Sequence, residues 1–323
     1  MKPETETALE PLLLDPNGPD VVAVGGGHGQ AAALEAIQTY AGAISALVTV
    51  ADNGGSSGRL TELGIPPTGD VRRCLLALTP EPSLWSELFA HRFQGADVDE
   101  HSLGNLILAA LSDLFGDFPS AVATSEMMLG TLGRVIPVAD DPVTLHATVD
   151  GRDVVGQLAI AMSKGLISDL TIEPADTVAS RSALEAIASA DQIVIGPGSL
   201  YTSLLSALQV QMLAPAIMGS DAQRVFILNL VTQDGETLGM TGEEHLAALR
   251  HHAGIEGLGV VVVNDGQLGV PDGHEAVTVD AESAAKFGWR VVFADVVDQE
   301  ADWPAHDPLK LGRVLENLTT VET

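Results

Sequence analysis

The feature that most constrains the fold is a pair of uninterrupted apolar runs, VVAVGG at 21–26 and AISALVTVA at 43–51. Continuous runs of this kind are typical of strands that are buried on both faces of a parallel sheet. The segment between them, AAALEAIQTY, has helical spacing and completes a βαβ unit. A strand, loop and helix at 190–208 and apolar runs at 224–231, 257–265 and 290–296 extend the pattern. The sequence therefore predicts an α/β fold with a mainly parallel sheet and helices on both faces.

The character of the sequence changes between residues 134 and 173. Asp150-Gly151, between VTLHATV and RDVVGQLAI, predicts two antiparallel strands around a type I′ turn. We therefore expect a small α+β insertion, antiparallel in its sheet, at about 134–173. It interrupts a single domain that spans 20–323, and residues 1–19 are expected to be a disordered leader.

The chain is strongly acidic. Its 323 residues contain 44 Asp and Glu against 15 Lys and Arg, a formal net charge of −29. This charge repels phosphate backbones and acidic lipid surfaces, which argues against nucleic acid as a partner. No apolar run reaches the roughly 20 residues of a membrane span, so no membrane insertion is expected. The single cysteine, Cys74, rules out an intramolecular disulfide and agrees with a cytoplasmic protein.

The first glycine-rich loop follows the strand at 21–26. Gly27-x-Gly29-x-x-Ala32 satisfies a dinucleotide-binding pattern, and Asp52 ends the next strand twenty residues beyond Ala32. Glycine lets the backbone approach phosphate, and a helix N-terminus favours negative charge. The loop therefore indicates contact with phosphate or with a nucleotide such as NAD. A tight turn that needs a positive φ is the alternative.

A second loop, DNGGSSGRL, extends the next strand at 52–60. It offers backbone donors, hydroxyls from Ser56 and Ser57, and the cation of Arg59, which together suit a phosphate or a sugar. Asp52 and Asn53 stand at its mouth. Asp52 is the candidate catalytic residue and the candidate ligand for Mg²⁺ beside ligand phosphates. A surface loop without a ligand is the alternative.

The stretch PPTGDVRRCLLAL places Asp70, Arg72 and Arg73 on the first turn of a helix. Three of the eleven arginines thus lie between residues 59 and 73, close to two glycine-rich loops. In so acidic a chain this clustering indicates a local anion site. The alternative is that Asp70 caps the helix and the arginines are solvated neighbours.

A third loop, GPGSLYTSLL at 196–205, again follows a strand and places Ser199, Tyr201 and Thr202 at a helix start. Ligands of open α/β sheets bind at the carboxyl ends of the strands near a topological switch point, so we expect the three loops to converge there. Helix capping by Ser199 is the alternative. The histidines form no metal-binding pattern, and His28 is either a ligand contact or an exposed side chain.

Six longer stretches are more specific than any glycine pattern: VVAVGGGHG, VTVADNGGSSGRL, PPTGDVRRCLLAL, HSLGNLILAAL, IVIGPGSLYTSLL and NLVTQDGET. In this order they resemble the gluconeogenesis factor family, the bacterial cytosolic branch of the 2-phospho-L-lactate transferase superfamily, from about Val21 to Arg313. The resemblance implies a Rossmann-like core with an inserted subdomain and a pocket for nucleotide-linked ligands, notably UDP-sugars. No reaction is firmly assigned to this branch. The transferase branch moves a phospholactyl group from a nucleotide donor to a deazaflavin acceptor with Mg²⁺.

The resemblance also implies which residues contact the ligand. His306 and Lys310, in AHDPLKLG, match a C-terminal segment of the family. The other residues that it assigns to the ligand are Gly26, Gly27, Gly29, Asp52, Ser56, Ser57, Arg59, Asp70, Arg72, Asn105, Gly196, Pro197, Gly198, Ser199, Tyr201, Thr202, Asn229 and Thr232.

Three positions depart from the family pattern. His28 stands where Thr is usual, Asn53 where a second Asp is frequent, and Ala305 where Arg commonly precedes His-Asp. The missing carboxylate at Asn53 weakens the case for metal-dependent transfer.

We therefore expect a non-catalytic, cytosolic UDP-sugar-binding regulator that links central carbon metabolism to envelope synthesis and cell shape and requires no cofactor. The alternatives are a Mg²⁺-dependent transferase that acts through Asp52 on a nucleotide-linked phospho-ligand, and an NAD-binding protein. We also expect that exposed helices allow a homodimer.

Overall fold

The computed structural model of the protein describes residues 13–51, 67–94, 102–257 and 259–320. Its strands, in chain order, are β1 (Asp20–Gly25), β2 (Ala43–Val48), β3 (Arg134–Pro137), β4 (Thr144–Val149), β5 (Arg152–Val155), β6 (Ile167–Glu173), β7 (Gln192–Ile195), β8 (Gln223–Ile227), β9 (Gly259–Asn264) and β10 (Trp289–Ala294).

The helices flank these strands in the sequence. They are α1 (Gly27–Ile37), α2 (Gly69–Ala77), α3 (Leu84–Ala90), α4 (Leu103–Phe115), α5 (Phe118–Leu129), α6 (Gln157–Ser163), α7 (Arg181–Ser189), a π-helix (Leu200–Leu205) that continues into α8 (Ser206–Leu208), α9 (Leu213–Gly219), α10 (Gly242–Ala253), α11 (Ala281–Ala285) and α12 (Pro308–Thr319).

Seven strands form one sheet in the order β3-β2-β1-β7-β8-β9-β10, and every neighbouring pair is parallel. The chain builds outward from β1 to β3 and then returns to the other side of β1 with β7. The loops that follow β1 and β7 therefore diverge at a topological switch point, the place where open α/β sheets bind ligands. The predicted α/β, Rossmann-like fold is confirmed.

Helices cover both faces of this sheet because its strands are apolar on both faces. In β1, Val21 and Ala23 belong to one buried cluster, together with residues of α1, α2 and α12. Val22 and Val24 belong to the other cluster, together with residues of α7, the π-helix and α9. Successive side chains of a strand point to opposite faces, so an uninterrupted apolar run is what two helical layers require.

The insertion is smaller than the sequence predicts. Its antiparallel sheet has the order β5-β4-β6, and Asp150 and Gly151 join β4 to β5 with φ values of 48° and 74°, as a type I′ turn requires. The predicted start at residue 134 is wrong, because Arg134–Pro137 pairs in parallel with β2 and extends the main sheet. The second predicted strand also ends early, since Gly156, with φ of 97°, turns the chain into α6.

Residues 13–19 are part of the domain, although the sequence assigns them to a leader. The N–H of Asp15 donates to the carbonyl oxygen of Ala41 at 3.1 Å, and the N–H of Gly42 donates to that of Pro19 at 2.9 Å. These bonds tie the segment to the turn before β2. The rest of the predicted leader, residues 1–12, lies outside the described residues. Within the described ranges, no helix is both long enough and apolar enough to cross a membrane.

Candidate functional site

A cleft with a volume of about 990 Å³ lies among the loops that follow the strands of the main sheet. It is lined by the loops after β1, β7 and β8, the start of α2, the loop between β10 and α12, and the insertion helix α6. The predicted ligand residues that line it are Gly26, Gly27, His28, Gly29, Asp70, Arg72, Asn105, Pro197, Gly198, Ser199, Asn229, Thr232 and His306. The structure therefore brings the first and third glycine-rich loops together.

Glycines allow the two loops to approach each other. A Cβ on Gly29 would stand 2.5 Å from the carbonyl oxygen of Pro197, well inside van der Waals contact. Gly26 packs against the Asp70 carboxylate and has no room for a Cβ. Gly27 has a φ of +70°, which glycine adopts without steric cost. The glycines thus serve close loop packing and a positive-φ turn.

The loop after β7 is held by side chains from the segment after β8. Asn229 donates from Nδ2 to the carbonyl oxygen of Gly198 at 2.9 Å and accepts at Oδ1 from the N–H of Gly198 at 3.0 Å. Gln233 donates from Nε2 to the Ser199 hydroxyl at 2.8 Å. Ser199 makes no capping hydrogen bond with its side chain, so the capping alternative is not what the structure shows. Asn229 is a positioning residue that also lines the cleft.

Glu236 anchors the same loop from the interior. Its Oε2 accepts the backbone N–H groups of Tyr201 at 3.0 Å and Thr202 at 3.2 Å, and its Oε1 accepts the Thr202 hydroxyl. Burial raises the pKa of Glu236, and the hydrogen bonds from Thr202 oppose that rise. The carboxylate uses the first amides of the π-helix, so they are not available to an anionic ligand.

Tyr201 and Thr202 are consequently not placed at the cleft, although the sequence assigns them to the ligand. Both side chains are buried, and neither lines the cleft. The ring of Tyr201 lies edge-on to His252, with centroids 5.6 Å apart. Sequence reasoning missed Glu236, which stands in the quoted stretch NLVTQDGET but reveals its partners only in the folded chain.

Within the described part of the chain, three guanidinium groups line the cleft: Arg72 and Arg73 from α2, and Arg92 from the segment after α3. Arg72 is buried and donates from Nε to Oδ1 of Asn105 at 3.1 Å. Burial, together with the positive charges of Arg73 and Arg92, lowers the pKa of Arg72 to about 10. We call these three residues the arginine cluster.

Asp70 is the carboxylate beside this cluster. Its Oδ1 accepts from Nη1 of Arg73 at 2.6 Å, and its Oδ2 has no hydrogen-bond partner among the described residues. Burial raises the pKa of Asp70 and the positive charge of Arg73 opposes the rise. Asp70 is not the N-cap of α2, a position held by Thr68, so the capping alternative is wrong for this residue. Among the residues that the structure describes, one carboxylate stands against three guanidiniums here, so their summed charge is positive.

His28 lies on the rim of this part of the cleft. Partial burial lowers the pKa of His28, and the positive charge of Arg73 lowers it further, while Asp70 acts in the opposite direction. His28 is therefore neutral at pH 7 and adds a polar group but no charge.

The loop between β10 and α12 lines another part of the cleft with Trp303, Pro304, Ala305 and His306. His306 is buried, and burial lowers its pKa to about 4, so the imidazole is neutral. Its Nε2 has no hydrogen-bond partner among the described residues. Trp303 is 53% exposed, and its ring lies edge-on to that of His274 with centroids 5.1 Å apart.

Lys310 does not line the cleft, although the sequence assigns it to the ligand. Its ammonium donates to Oδ2 of Asp295 at 2.8 Å and to the carbonyl oxygen of Val297 at 2.9 Å. Gly196 is also absent from the lining. Thr232 does line the cleft, and its hydroxyl donates a hydrogen bond to the Glu275 carboxylate at 2.9 Å.

The second glycine-rich loop, with Asp52, Asn53, Ser56, Ser57 and Arg59, lies outside the described residues. The expected Mg²⁺ ligand is among them. Within the described ranges, no group of three His, Cys, Asp or Glu side chains is arranged to hold a metal ion.

Comparisons with known proteins agree with this fold. A family model described as 2-phospho-L-lactate transferase CofD matches residues 21–297. The chain is 38% identical over 312 residues to the gluconeogenesis factor of Bacillus subtilis, with 93% of this chain and 98% of the relative covered. The chain belongs to the gluconeogenesis factor family.

A further relative and a solved structure are also similar to this chain over much of their length. The gluconeogenesis factor of Halalkalibacterium halodurans is 45% identical over 239 residues, which cover 73% of this chain and 74% of the relative. The crystal structure of a protein from Bacillus halodurans superposes with a TM-score of 0.87 at 38% identity, over 93% of this chain and 99% of that one. The resemblance that the sequence motifs indicate is thereby confirmed.

Proposed function

We propose that the protein binds a UDP-sugar in the cleft and acts in the cytosol as a regulator that links central carbon metabolism to envelope synthesis and cell shape. The observation that carries the proposal is the arginine cluster beside the glycine loop of the switch point. In a chain with a net charge of −29, a local group of three guanidiniums attracts an anionic ligand. Guanidinium groups also match the geometry of phosphate oxygens through paired hydrogen bonds.

The dimensions of the cleft favour an extended ligand over a free phosphate. Its volume of about 990 Å³ is at the upper end of ordinary small-molecule sites. Beyond the arginine cluster, its lining includes the uncharged polar side chains of Asn105, Ser199, Asn229 and Gln233. Neutral donors and acceptors of this kind suit the hydroxyls and heterocycle of a nucleotide-linked sugar.

Calorimetry of the purified protein tests this proposal. The protein is titrated with UDP-N-acetylglucosamine, UDP-glucose, GDP and NAD, each with and without Mg²⁺. We expect the UDP-sugars to bind and to be recovered unchanged. Tight binding of NAD alone would contradict the proposal and favour the dinucleotide alternative.

A pair of matched variants tests the arginine cluster. Arg72→Gln removes a guanidinium from the cleft and should weaken UDP-sugar binding at least tenfold, since a charge-assisted hydrogen bond contributes about 1.5–3 kcal/mol. Arg181→Gln is the control, because Arg181 lies on α7 outside the cleft and its side chain is 91% exposed. Equal UDP-sugar affinities of the two variants would show that Arg72 of the arginine cluster does not contribute to ligand binding.

The family model supports a second candidate function, a Mg²⁺-dependent transferase that acts on a nucleotide-linked phospho-ligand. Asp52 would hold the metal ion, which would supply charge neutralisation at the phosphates. The test is a Mg²⁺-dependent loss of both donor and acceptor that disappears in Asp52→Asn. Such turnover would contradict the non-catalytic regulatory function and support the transferase. Binding of the UDP-sugar without turnover would support the regulatory function.

A further inference from the structure

The arginine cluster and the segment around His306 lie in two different parts of the cleft, above different strands of the sheet. The arginine cluster lies near the loop after β1, and its first two members belong to α2, which follows β2 in the chain. His306 lies beside Leu228, which follows β8. Strand β7 stands between β1 and β8, so these two loops are about 10 Å apart in the sheet. A ligand that reaches both must therefore be longer than a single phosphate.

The segment 303–306 offers no charge to a ligand. His306 is neutral because burial keeps its pKa far below 7, and its interaction with the Leu228 carbonyl oxygen places the ring proton on Nδ1. Nε2 is then an acceptor, and it has no partner among the described residues. A buried acceptor without a partner is unfavourable until it receives a hydrogen bond. The group that satisfies it carries an N–H or an O–H.

Trp303 stands three residues earlier on the same wall. It is 53% exposed, although a tryptophan of a folded domain is ordinarily buried in large part. Its contact with His274 is edge-to-face, at an interplanar angle of 86°, so it does not stack against a parallel ring there. An indole held at the mouth of a cleft provides a flat apolar surface for a base or for the apolar face of a sugar.

We propose that Trp303 and His306 form a subsite for the uncharged ring of the ligand, while the arginine cluster holds its phosphates. The inference rests on the proposed function and adds the orientation of the ligand, with phosphates toward α2 and the ring toward the loop before α12. The chemistry of the subsite requires a flat or ring-shaped uncharged group with a hydrogen-bond donor. A nucleobase and a pyranose sugar both meet this requirement, and the choice of probes distinguishes them.

The test compares the full-length protein with Trp303→Ala by calorimetry, with pyrophosphate, UDP and UDP-N-acetylglucosamine as probes. Pyrophosphate affinity should be unchanged, and affinity for the ligand whose ring occupies the subsite should fall roughly tenfold. Weaker binding of UDP as well as the UDP-sugar identifies the base as the ring. Weaker binding of the UDP-sugar alone identifies the sugar. Trp85→Ala is the matched control, because Trp85 is 43% exposed but lies on α3 outside the cleft.

A second variant makes the test independent of Trp303. His306→Phe keeps a buried ring of similar size but removes the acceptor, and it should reproduce the selectivity of Trp303→Ala. A loss of pyrophosphate affinity equal to that of UDP, in both variants, would overturn the orientation. Wild-type affinity of both variants for all probes would overturn the subsite alone. If the unmodified protein binds neither UDP nor the UDP-sugar, the proposed function and the subsite fall together.

Discussion

Replacement of Glu236 by Ala tests whether hydrogen bonds to a buried carboxylate hold the loop after β7. Three donors converge on this side chain: the N–H groups of Tyr201 and Thr202 and the Thr202 hydroxyl. Alanine leaves all three without their partner. An unsatisfied buried donor costs about 1–3 kcal/mol, and relief of the buried charge offsets part of this. At the lower bound for each donor, the free energy of unfolding should fall by about 3 kcal/mol.

Glu236→Gln is the matched control because it preserves shape and replaces only the charge. Its amide oxygen can accept the two backbone N–H groups, and its amide nitrogen can donate to the Thr202 hydroxyl. We therefore expect its free energy of unfolding to lie within about 1 kcal/mol of the wild-type value.

The free energy of unfolding of both variants is measured by urea unfolding followed by circular dichroism. The dependence of this free energy on urea concentration should have the same slope in both variants and in the wild type. The same preparations are titrated with UDP-N-acetylglucosamine, because Gly198 and Ser199 line the cleft on the loop that Glu236 anchors. Glu236→Ala should weaken binding and Glu236→Gln should not. The reasoning is refuted if Glu236→Ala unfolds within 0.5 kcal/mol of wild type, a margin of about the usual effect of a surface substitution. It is equally refuted if Gln destabilises as much as Ala.

Because the pKa of Glu236 is raised, the difference in the free energy of unfolding between Glu236→Gln and the wild type should change with pH in a definite direction. Above the ordinary value of 4.5, the folded protein retains a proton on Glu236 that the unfolded chain has lost. The stability contributed by this proton is present in full below pH 4.5 and is lost as the pH rises through the folded pKa. Glu236→Gln lacks this titration, so it should gain stability relative to wild type as the pH rises. A constant difference between pH 4 and 8 would contradict the assignment.

Three further predictions concern the cleft and its surroundings. Gly29→Val forces the loops after β1 and β7 apart and should lower the free energy of unfolding, measured by urea unfolding, by about 1–3 kcal/mol. An unchanged urea concentration at the unfolding midpoint would contradict the close packing. Lys310→Ala should leave UDP-sugar affinity unchanged in calorimetry, because the ammonium is paired with Asp295; a large loss would place Lys310 at the ligand. The pKa of His306 falls from 6.5 to about 4 on folding, so the stability that it contributes is lost as the pH falls through this window. In His306→Gln, the free energy of unfolding measured in urea should therefore fall less steeply than in the wild type as the pH is lowered from 6.5 to about 4. An unaltered pH dependence would contradict the neutral imidazole.

The local signals in the sequence predict the architecture well where neighbouring residues decide the structure. The turn at Asp150-Gly151 forms as predicted because positive φ values at two successive positions are a property of the turn residues themselves. The insertion boundary is less accurate, because the short apolar run Arg134–Pro137 does not reveal which strand it pairs with. Pairing of parallel strands joins residues that are far apart in sequence, and only the folded chain selects the partner.

The sequence by itself determined the βαβ pattern, the glycine-rich loops after β1 and β7, and the arginines at the start of α2, since each is a property of contiguous residues. Only the tertiary structure decided which side chains reach the cleft. It brought in Arg92, Trp303 and His274, and it directed Lys310 to Asp295 instead. The direction of a long or aromatic side chain depends on packing and on partners from distant segments, and no local pattern encodes these.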